Sequence, residues 1–411
     1  MPQLPILDSL RVRGYRFYWF SALLVAAARS MQGVVLGWLV LELTNSAFLV
    51  TVAGALNFLP MLGLGLFSGV IADRLNRRKV LIATQIVSGT ASIILATLIV
   101  TDLVQTWEIM AISLTVGFAW ALDWPCRQII IADLAGEQNI LNGVALDQWA
   151  FHLMSIVGSV IAGIVISTLG MGNVYYMIAG AYLSAALSLL AIGRTQQIHS
   201  SAVGNIGSRI KEGVKYSINN RAILGVLLIM IVAHCTLFPF RQLLPVFARD
   251  VLNTGPTGLG YLSAAPGLGA ITGAIVMASL RRSRPSVMAL AIGAVAMALL
   301  TIIFAISTNF PFSVFILATV GFATSIYGAL QSSIPLRLAE PQMRGRIMGL
   351  LSLVVGLMPL GMMSFGIITD HIGAPTVVVG GSIIGVTLIA GVFLLVPGMR
   401  LSRKTVAGSP G

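Results

Sequence analysis

Charged residues are scarce in this sequence, where Asp, Glu, Lys and Arg make up 9% of 411 residues. A soluble domain carries about 25%, and the 57% of hydrophobic residues is too many for one water-soluble core. The apolar runs are about 20 residues or longer, which suits membrane-crossing helices rather than the strands of a barrel. The composition therefore predicts a polytopic α-helical membrane protein, because a helix satisfies its own backbone polar groups in lipid.

Thiol and imidazole groups are also few, with two cysteines and four histidines. Cys126 and Cys235 show neither metal-ligand spacing nor a disulfide pattern, and both fall in apolar runs, as core residues do. The sequence contains no nucleophile–base arrangement, phosphate-binding glycine loop or nucleotide-binding motif, and its loops are too short for an enzyme domain. We therefore predict a protein that is not an enzyme and that needs no metal or cofactor.

The apolar runs number twelve and predict twelve spans. They cover 18–43, 48–72, 80–101, 106–132, 143–169, 173–193, 222–247, 257–280, 286–307, 310–336, 346–370 and 375–397. One long polar stretch divides the first six from the last six. We predict an N-terminal six-helix bundle over 1–193, a cytoplasmic linker loop over 194–221, and a C-terminal six-helix bundle with a short cytoplasmic tail over 222–411.

The net charge of +12 comes from basic residues that cluster between apolar runs. Most of the 25 Lys and Arg residues fall on the side of the membrane that holds the N-terminus, and Arg249 is alone on the other side. This is the positive-inside pattern, so the charge reflects topology and predicts no binding of nucleic acid. It places a multi-pass protein in the plasma (inner) membrane with both termini cytoplasmic.

The two halves of the chain look like copies of one another. The sequence VGFA occurs at 116–119 and again at 320–323, an offset of 204, and the same offset maps Arg77-Arg78 onto Arg281-Arg282. Because six spans separate the copies, both run in the same direction across the membrane. Parallel repeats of this kind are typical of transporters that bind substrate at the interface between the halves, near the midplane.

The loop after the second predicted span reads GVIADRLNRRK, with Gly69, Asp73, Arg74, Arg77 and Arg78 at fixed spacing. It resembles the signature loop of the Major Facilitator Superfamily, G-x-x-x-D-R-x-G-R-R. Asn76 replaces the usual glycine, and asparagine tolerates the left-handed backbone that we expect at this turn. In the second copy Met277 takes the place of the aspartate.

This resemblance implies the Major Facilitator fold and a role for the loop as a conformational lock that stabilises one of two alternating-access states. A carboxylate at a helix end favours the positive dipole of a neighbouring helix N-terminus, and a glycine lets a helix approach closely. The alternative is that the basic residues only set topology, which leaves Gly69 and Asp73 unexplained.

Further stretches, among them PCRQIIIADL, LLPVFARDVL and RGRIMGLLSL, are similar to the efflux branch that contains siderophore (enterobactin-type) and macrolide exporters. The resemblance implies a monomeric, proton-coupled exporter of a small drug-like or siderophore-like molecule. An importer or a lipid-type facilitator is the alternative. Exporters often carry G-P-x-x-G-G in span five, but here Gly158 to Gly163 lacks the proline and predicts only close helix contact.

Ionisable residues inside spans need an explanation, because each costs at least ~2.5–3.5 kcal/mol at the centre of the bilayer. Asp123 and Arg127 lie one helical turn apart and can form a pair, and Asp147 in the next span is a second possible partner for Arg127. These residues are either a structural ion pair or a site for proton coupling, since burial in a low dielectric favours the protonated form of a carboxyl.

Four further side chains are candidates for a substrate cavity: Arg29, His152, His234 and Arg241. Arg29 lies mid-span with no acidic residue nearby on its own helix, so it would suit an anionic or carbonyl-rich substrate, unless it pairs with another helix. The two histidines could equally be hydrogen-bonded core residues.

Overall fold

A computed structural model describes residues 9–64, 76–136, 139–192, 206–279, 286–340 and 342–395. Within these ranges the regular structure is helical throughout, without a strand. Twelve of the described helices are long and apolar enough to cross a membrane. The predicted all-α, twelve-span fold is therefore confirmed.

The spans lie within a few residues of the predicted runs. They are α1 (Arg13–Thr44), α2 (Ala47–Leu64), α3 (Arg77–Val100), α4 (Thr106–Ala135), α5 (Ile140–Leu169), α6 (Met171–Leu190), α7 (Arg221–Val251), α8 (Gly255–Ser279), α9 (Val287–Ile306), α10 (Phe310–Leu338), α11 (Arg344–Ile372) and α12 (Ala374–Leu395). Predicted span two extended to residue 72, and residues 65–75 lie outside the described part of the chain.

Helix α7 is irregular in its second half. It changes from α-helix to a π-helical turn at Ala233–Leu237, then to a 3-10 segment at Pro239–Leu243 and a second π-helical turn at Phe247–Val251. Pro239 and Pro245 explain the change, because proline has no N–H to donate and its ring clashes with the preceding turn. The 3-10 segment places Arg241 where a regular helix would not.

The start of α3 corrects one expectation. Asn76 has φ −68°, and its side-chain oxygen accepts a hydrogen bond from the Lys79 backbone N–H at 3.2 Å. The residue therefore caps the helix, a role that asparagine fills well, and does not adopt the left-handed backbone of the expected turn.

Helix packing follows the predicted internal repeat. Contacts between the first six and the last six spans are concentrated in two pairs, α2 with α11 and α5 with α8. The offset of 204 carries α2 onto α8 and α5 onto α11, so the two pairs are equivalent under the repeat. The irregular part of α7 adds contacts with α1 and α2.

The predicted linker loop contains a helix, Ile206–Asn219, which the sequence analysis did not foresee because the segment has no apolar run. This linker helix packs on the start of α11. The Glu212 carboxylate pairs with the Arg346 guanidinium at 2.6 Å, and the Tyr216 hydroxyl accepts a hydrogen bond from the Glu340 backbone N–H at 3.2 Å. The linker helix is thus attached to the last six spans.

Candidate functional site

Asp123 and Arg127, predicted to pair along α4, form a buried ion pair in which the Arg127 Nε donates to the Asp123 carboxylate. Their exposed fractions are 2% and 5%. Two residues of α3 complete the surroundings of Asp123, which accepts hydrogen bonds from the Thr84 hydroxyl at 3.0 Å and the Gln85 amide at 2.5 Å. Asp123 therefore accepts hydrogen bonds from three side chains.

Asp147 of α5 interacts electrostatically with Arg127 and has fewer partners than Asp123. Its carboxylate accepts a hydrogen bond from the Tyr18 hydroxyl of α1 at 3.1 Å. The Arg127 guanidinium carbon lies 5.9 Å from the centroid of the Tyr18 ring, and both terminal nitrogens of Arg127 are buried with no hydrogen-bond partner among the described residues. Arg127 thus sits between a carboxylate with many donors and one with a single donor.

Arg29 of α1 also lies close to Asp123. Its guanidinium stacks on the Trp120 ring of α4, 3.7 Å from the centroid, and interacts with the Tyr182 hydroxyl and with Asp123. A cavity of about 10 Å³ beside these residues has about the volume that one water needs. We call Arg29, Asp123, Arg127 and Asp147 the polar cluster. It lies wholly within the first six spans.

The remaining cavity candidates lie elsewhere. His234 is buried in the π-helical turn of α7, where its Nδ1 lies 2.9 Å from the Met230 carbonyl oxygen and its ring stacks on Phe238 at 4.8 Å. This arrangement matches the core alternative for His234. Arg241, three residues after Phe238, has its guanidinium 5.7 Å from the Phe238 ring and acts electrostatically on His152 of α5.

Of the signature loop, Gly69, Asp73 and Arg74 lie outside the described residues. Arg77 is described and binds the Asp133 carboxylate at the end of α4 at 2.6 Å. Arg78 donates to the carbonyl oxygens of Leu189 and Leu190 at 2.9 and 2.7 Å. These carbonyl groups form the negative end of the α6 dipole, which favours a cation. These two arginines tie α3 to its neighbours, in addition to any role in topology.

At the opposite end of the bundle, where α1 turns into α2, Asp370 of α11 caps a helix of the other half. Its carboxylate accepts hydrogen bonds from the Ala47 backbone N–H and the Ser46 hydroxyl, both at 2.7 Å, and from the Phe48 N–H at 3.3 Å. The first N–H groups of a helix have no partner within it. Asp370 supplies hydrogen-bond acceptors to these groups of α2.

Arg249 of α7 makes the reciprocal contact with α1. Its guanidinium donates to the Leu41 carbonyl oxygen at 3.2 Å and to the Asn45 side-chain oxygen at 2.5 Å. Its Nε also donates to the Asp250 carboxylate at 2.6 Å. A cation at a helix C-terminus is favourable for the same dipole reason that favours Asp370 at an N-terminus. We call the contacts of Asp370 and Arg249 the clasp.

Between the clasp and the middle of the bundle, the backbones of α5 and α8 approach closely at Gly163 and Gly260. A Cβ on Gly163 would lie 2.6 Å from the Pro256 carbonyl oxygen and 2.9 Å from the Gly260 Cα. On the other face of α5, a Cβ on Gly158 would lie 2.9 Å from the Ala27 carbonyl oxygen of α1. The small-residue stretch therefore gives the close helix contact that its sequence predicts.

A family model for transmembrane secretion effectors matches residues 6–405. The chain belongs to this family. With its twelve spans it is a multi-pass transporter of the Major Facilitator fold, and its relatives are efflux proteins, so it is not an enzyme.

Similar proteins agree with this assignment. The transporter is 25% identical over 366 residues to the multidrug efflux pump Tap of Mycolicibacterium fortuitum, covering 86% of this chain and 88% of that protein. It is 20% identical to macrolide efflux protein A of Streptococcus pyogenes, covering 89% and 91%. A crystal structure of a mutant nucleoside transporter, NupG, shares the fold with a TM-score of 0.73 at 14% identity, over 93% and 99% of the two chains.

Residues of the transporter that act between helices distant in the chain were not predicted from the sequence. Thr84 and Gln85 are ordinary polar residues of an apolar run, and nothing local marks them as ligands of Asp123. Asp370 and Arg249 carried a usable signal, because each is a rare charge at the end of a span, and Arg249 is alone on its predicted side of the membrane.

Proposed function

We propose that this transporter is a proton-coupled exporter of a small organic molecule, acting by alternating access in the plasma membrane with both termini cytoplasmic. The observation that carries the proposal is the position of Arg127 between two carboxylates with unequal sets of partners. The names of Tap and macrolide efflux protein A support the outward direction and a drug-like substrate. The siderophore-like substrate stays a prediction.

In this proposal the two carboxylates have different tasks. Asp123, with three donors, holds Arg127 in the membrane interior. Asp147, with one donor and a partly exposed side chain, takes up and releases the proton. When Asp147 is protonated, Arg127 interacts with the Asp123 carboxylate only. When Asp147 loses the proton, its charge attracts the two terminal guanidinium nitrogens of Arg127 toward α5. The proton therefore changes the attraction between α4 and α5.

Alternating access requires two bodies and a contact that opens. We assign the bodies to 1–193 and 222–411, joined by 194–221, and the clasp to the extracellular end. The signature loop with Gly69 and Asp73 is assigned to the cytoplasmic end, where it acts as the lock of the opposite state. In this proposal a carboxylate at each end of the transporter stabilises one of the two alternating-access states.

Efflux in a host deprived of its own pumps tests the proposal. Cells that express the transporter should accumulate less of at least one compound in a panel of anionic, neutral and cationic drugs than cells with the empty vector, and a protonophore should abolish the difference. Efflux that survives collapse of the proton gradient would refute proton coupling. Greater accumulation in expressing cells would support the alternative, an importer or a lipid-type facilitator.

A further inference from the structure

The last six spans contain a cation with no compensating charge. Between residues 222 and 395 the acidic residues are Asp250, Glu340 and Asp370, and all three lie at helix ends. Arg241 lies within α7, and its guanidinium forms no hydrogen bond or ion pair with any residue in the described ranges. A lone arginine in a membrane interior is costly, so a charge of opposite sign or a watery cavity must face it.

The surroundings of Arg241 are protein rather than lipid. Its side chain is exposed, yet its neighbour Gln242 packs against Gly54 of α2, and Phe238 beneath it stacks with Tyr327 of α10 at 6.0 Å. His152 of α5 lies within electrostatic range. An exposed guanidinium with α2, α5 and α10 around it faces the space between the two halves, which is where transporters of this architecture bind substrate.

Other groups at this place can bind an oxygen-rich ligand. The Tyr327 hydroxyl is buried with no hydrogen-bond partner among the described residues. His152 belongs to the first six spans, so a ligand held by His152 and Arg241 would bridge the halves. Phe151, next to His152, is 43% exposed and offers an apolar surface. Pockets for small molecules commonly combine such apolar walls with a few polar groups.

The charges of the span interiors favour one class of ligand. The polar cluster contributes Arg29 and Arg127 against Asp123 and Asp147, a balanced set, and Arg241 is left in excess. A guanidinium presents five donors in a planar fork that fits carboxylate and similar anions. A cationic ligand would instead meet Arg241 with no carboxylate in the interior of the last six spans to receive it.

We infer that Arg241 and His152 form the recognition site for an anionic group, a carboxylate or sulfonate attached to an aromatic or apolar body. The inference rests on the proposed function in that it assigns the substrate class of the same transporter. The inference goes beyond the proposed function, because nothing in the coupling mechanism requires an anionic substrate.

Equilibrium binding to the purified full-length transporter in lipid nanodiscs tests the site without any gradient. The probes are fluorescein, an anionic xanthene dye, and rhodamine 6G, a cationic dye on the same ring system, both followed by fluorescence polarisation. Arg241→Gln should weaken fluorescein binding about tenfold or more, because a charge-assisted hydrogen bond is lost. Arg241→Lys should lose less, and His152→Ala should weaken fluorescein binding about threefold to fivefold.

The matched control is Arg337→Gln, an exposed arginine at the end of α10 in the same half, which should bind both dyes like the wild type. Melting temperatures of all variants identify any that are unfolded, and Arg241→Lys keeps the test valid if Arg241→Gln is among them. Preference of the wild type for rhodamine 6G, or fluorescein binding that is unchanged in Arg241→Gln, would overturn the inference.

The two proposals can fail separately. Proton-driven efflux with no binding of fluorescein would leave the exporter standing and remove the anion site. Binding of fluorescein that depends on Arg241, without any efflux that a protonophore abolishes, would leave the site standing and remove proton coupling.

Discussion

At the scale of single residues, the polar cluster shows how a membrane interior holds charge. Arg127 can remain there because Asp123 lies one turn away, and Asp123 can remain because Thr84 and Gln85 donate to it. Removing one member of such a buried pair leaves an uncompensated charge, which costs far more than the pair itself contributes.

Asp147→Asn should abolish uphill transport while leaving exchange of substrate between two compartments intact, because asparagine keeps the contact with Tyr18 but holds no proton for release. Counterflow in proteoliposomes, with and without a pH gradient, measures both. Uphill transport at the wild-type rate in Asp147→Asn would show that the proton is carried elsewhere.

Asp123→Asn should instead destabilise the fold, by about 3–5 kcal/mol, because Arg127 then loses the carboxylate with which it forms its buried ion pair. Thermal melting in detergent measures the loss. Glu212→Gln is the control, since it breaks the half-exposed pair with Arg346, which is worth no more than about 1 kcal/mol. Equal losses in the two variants would contradict the structural role of Asp123.

The Asp123–Arg127 pair was predictable because its members lie four residues apart on one helix. The partners on α3, and the stacking of Arg29 on Trp120, depend on how helices assemble. A single sequence with an apolar pattern on most helix faces does not determine that assembly, because lipid and protein interior favour the same residues.

At the scale of helices, the crossing of α5 and α8 depends on the absence of side chains at Gly163 and Gly260. Gly163→Leu should force the two helices apart and prevent the clasp from forming, so that transport is lost. Gly180→Leu is the matched control, because a Cβ there meets nothing within 4 Å. Efflux assays and surface expression of both variants provide the measurement, and a fully active Gly163→Leu would contradict the close crossing.

The clasp is the second feature at this scale. Asp370→Asn should weaken the cap on α2 by roughly 1 kcal/mol, which lowers the ratio of clasp-closed to clasp-open molecules about fivefold. Electron–electron distance measurements between spin labels at Leu169 and Thr308 report that ratio, in a background without Cys126 and Cys235. Asp102→Asn, an exposed loop aspartate, is the control, and an unchanged distance distribution in Asp370→Asn would refute the clasp.

Helix boundaries were predicted to within a few residues because spans are long and their ends are marked by charges. The change of helix type in α7 was not predicted, although Pro239 and Pro245 are visible in the sequence. Proline in a span is tolerated where neighbouring helices satisfy the freed carbonyl groups, so its presence alone does not say whether the helix bends, tightens or continues.

At the scale of the whole molecule, carboxylates at the two ends should act against each other. Asp73→Asn should raise the population of clasp-closed molecules, because it weakens the proposed lock at the opposite end, and Asp370→Asn should lower it. The same spin-label pair detects both shifts, and the double variant should lie between them. A shift of the same sign for both single variants would show that they do not belong to opposing locks.

The twelve-span architecture and its repeat were predictable from composition, periodicity and the offset of 204. The attachment of the linker helix to α11 was not, because it depends on contacts such as Glu212 with Arg346 between segments far apart in the chain. Orientation in the membrane stays a prediction from the distribution of lysine and arginine.

The glycine crossing of α5 and α8 has a mechanical consequence. Gly163 lies ~9 Å along the helix from the clasp end of α5 at Leu169, and ~35 Å from the other end at Ile140, at 1.5 Å per residue. A rotation of about 10° about this point would move the near end by ~1.6 Å and the far end by ~6 Å. The crossing therefore acts as a pivot placed off-centre along α5. A displacement of ~1.6 Å at one membrane face accompanies a displacement of ~6 Å at the other face, which is wide enough to open a path for a small molecule.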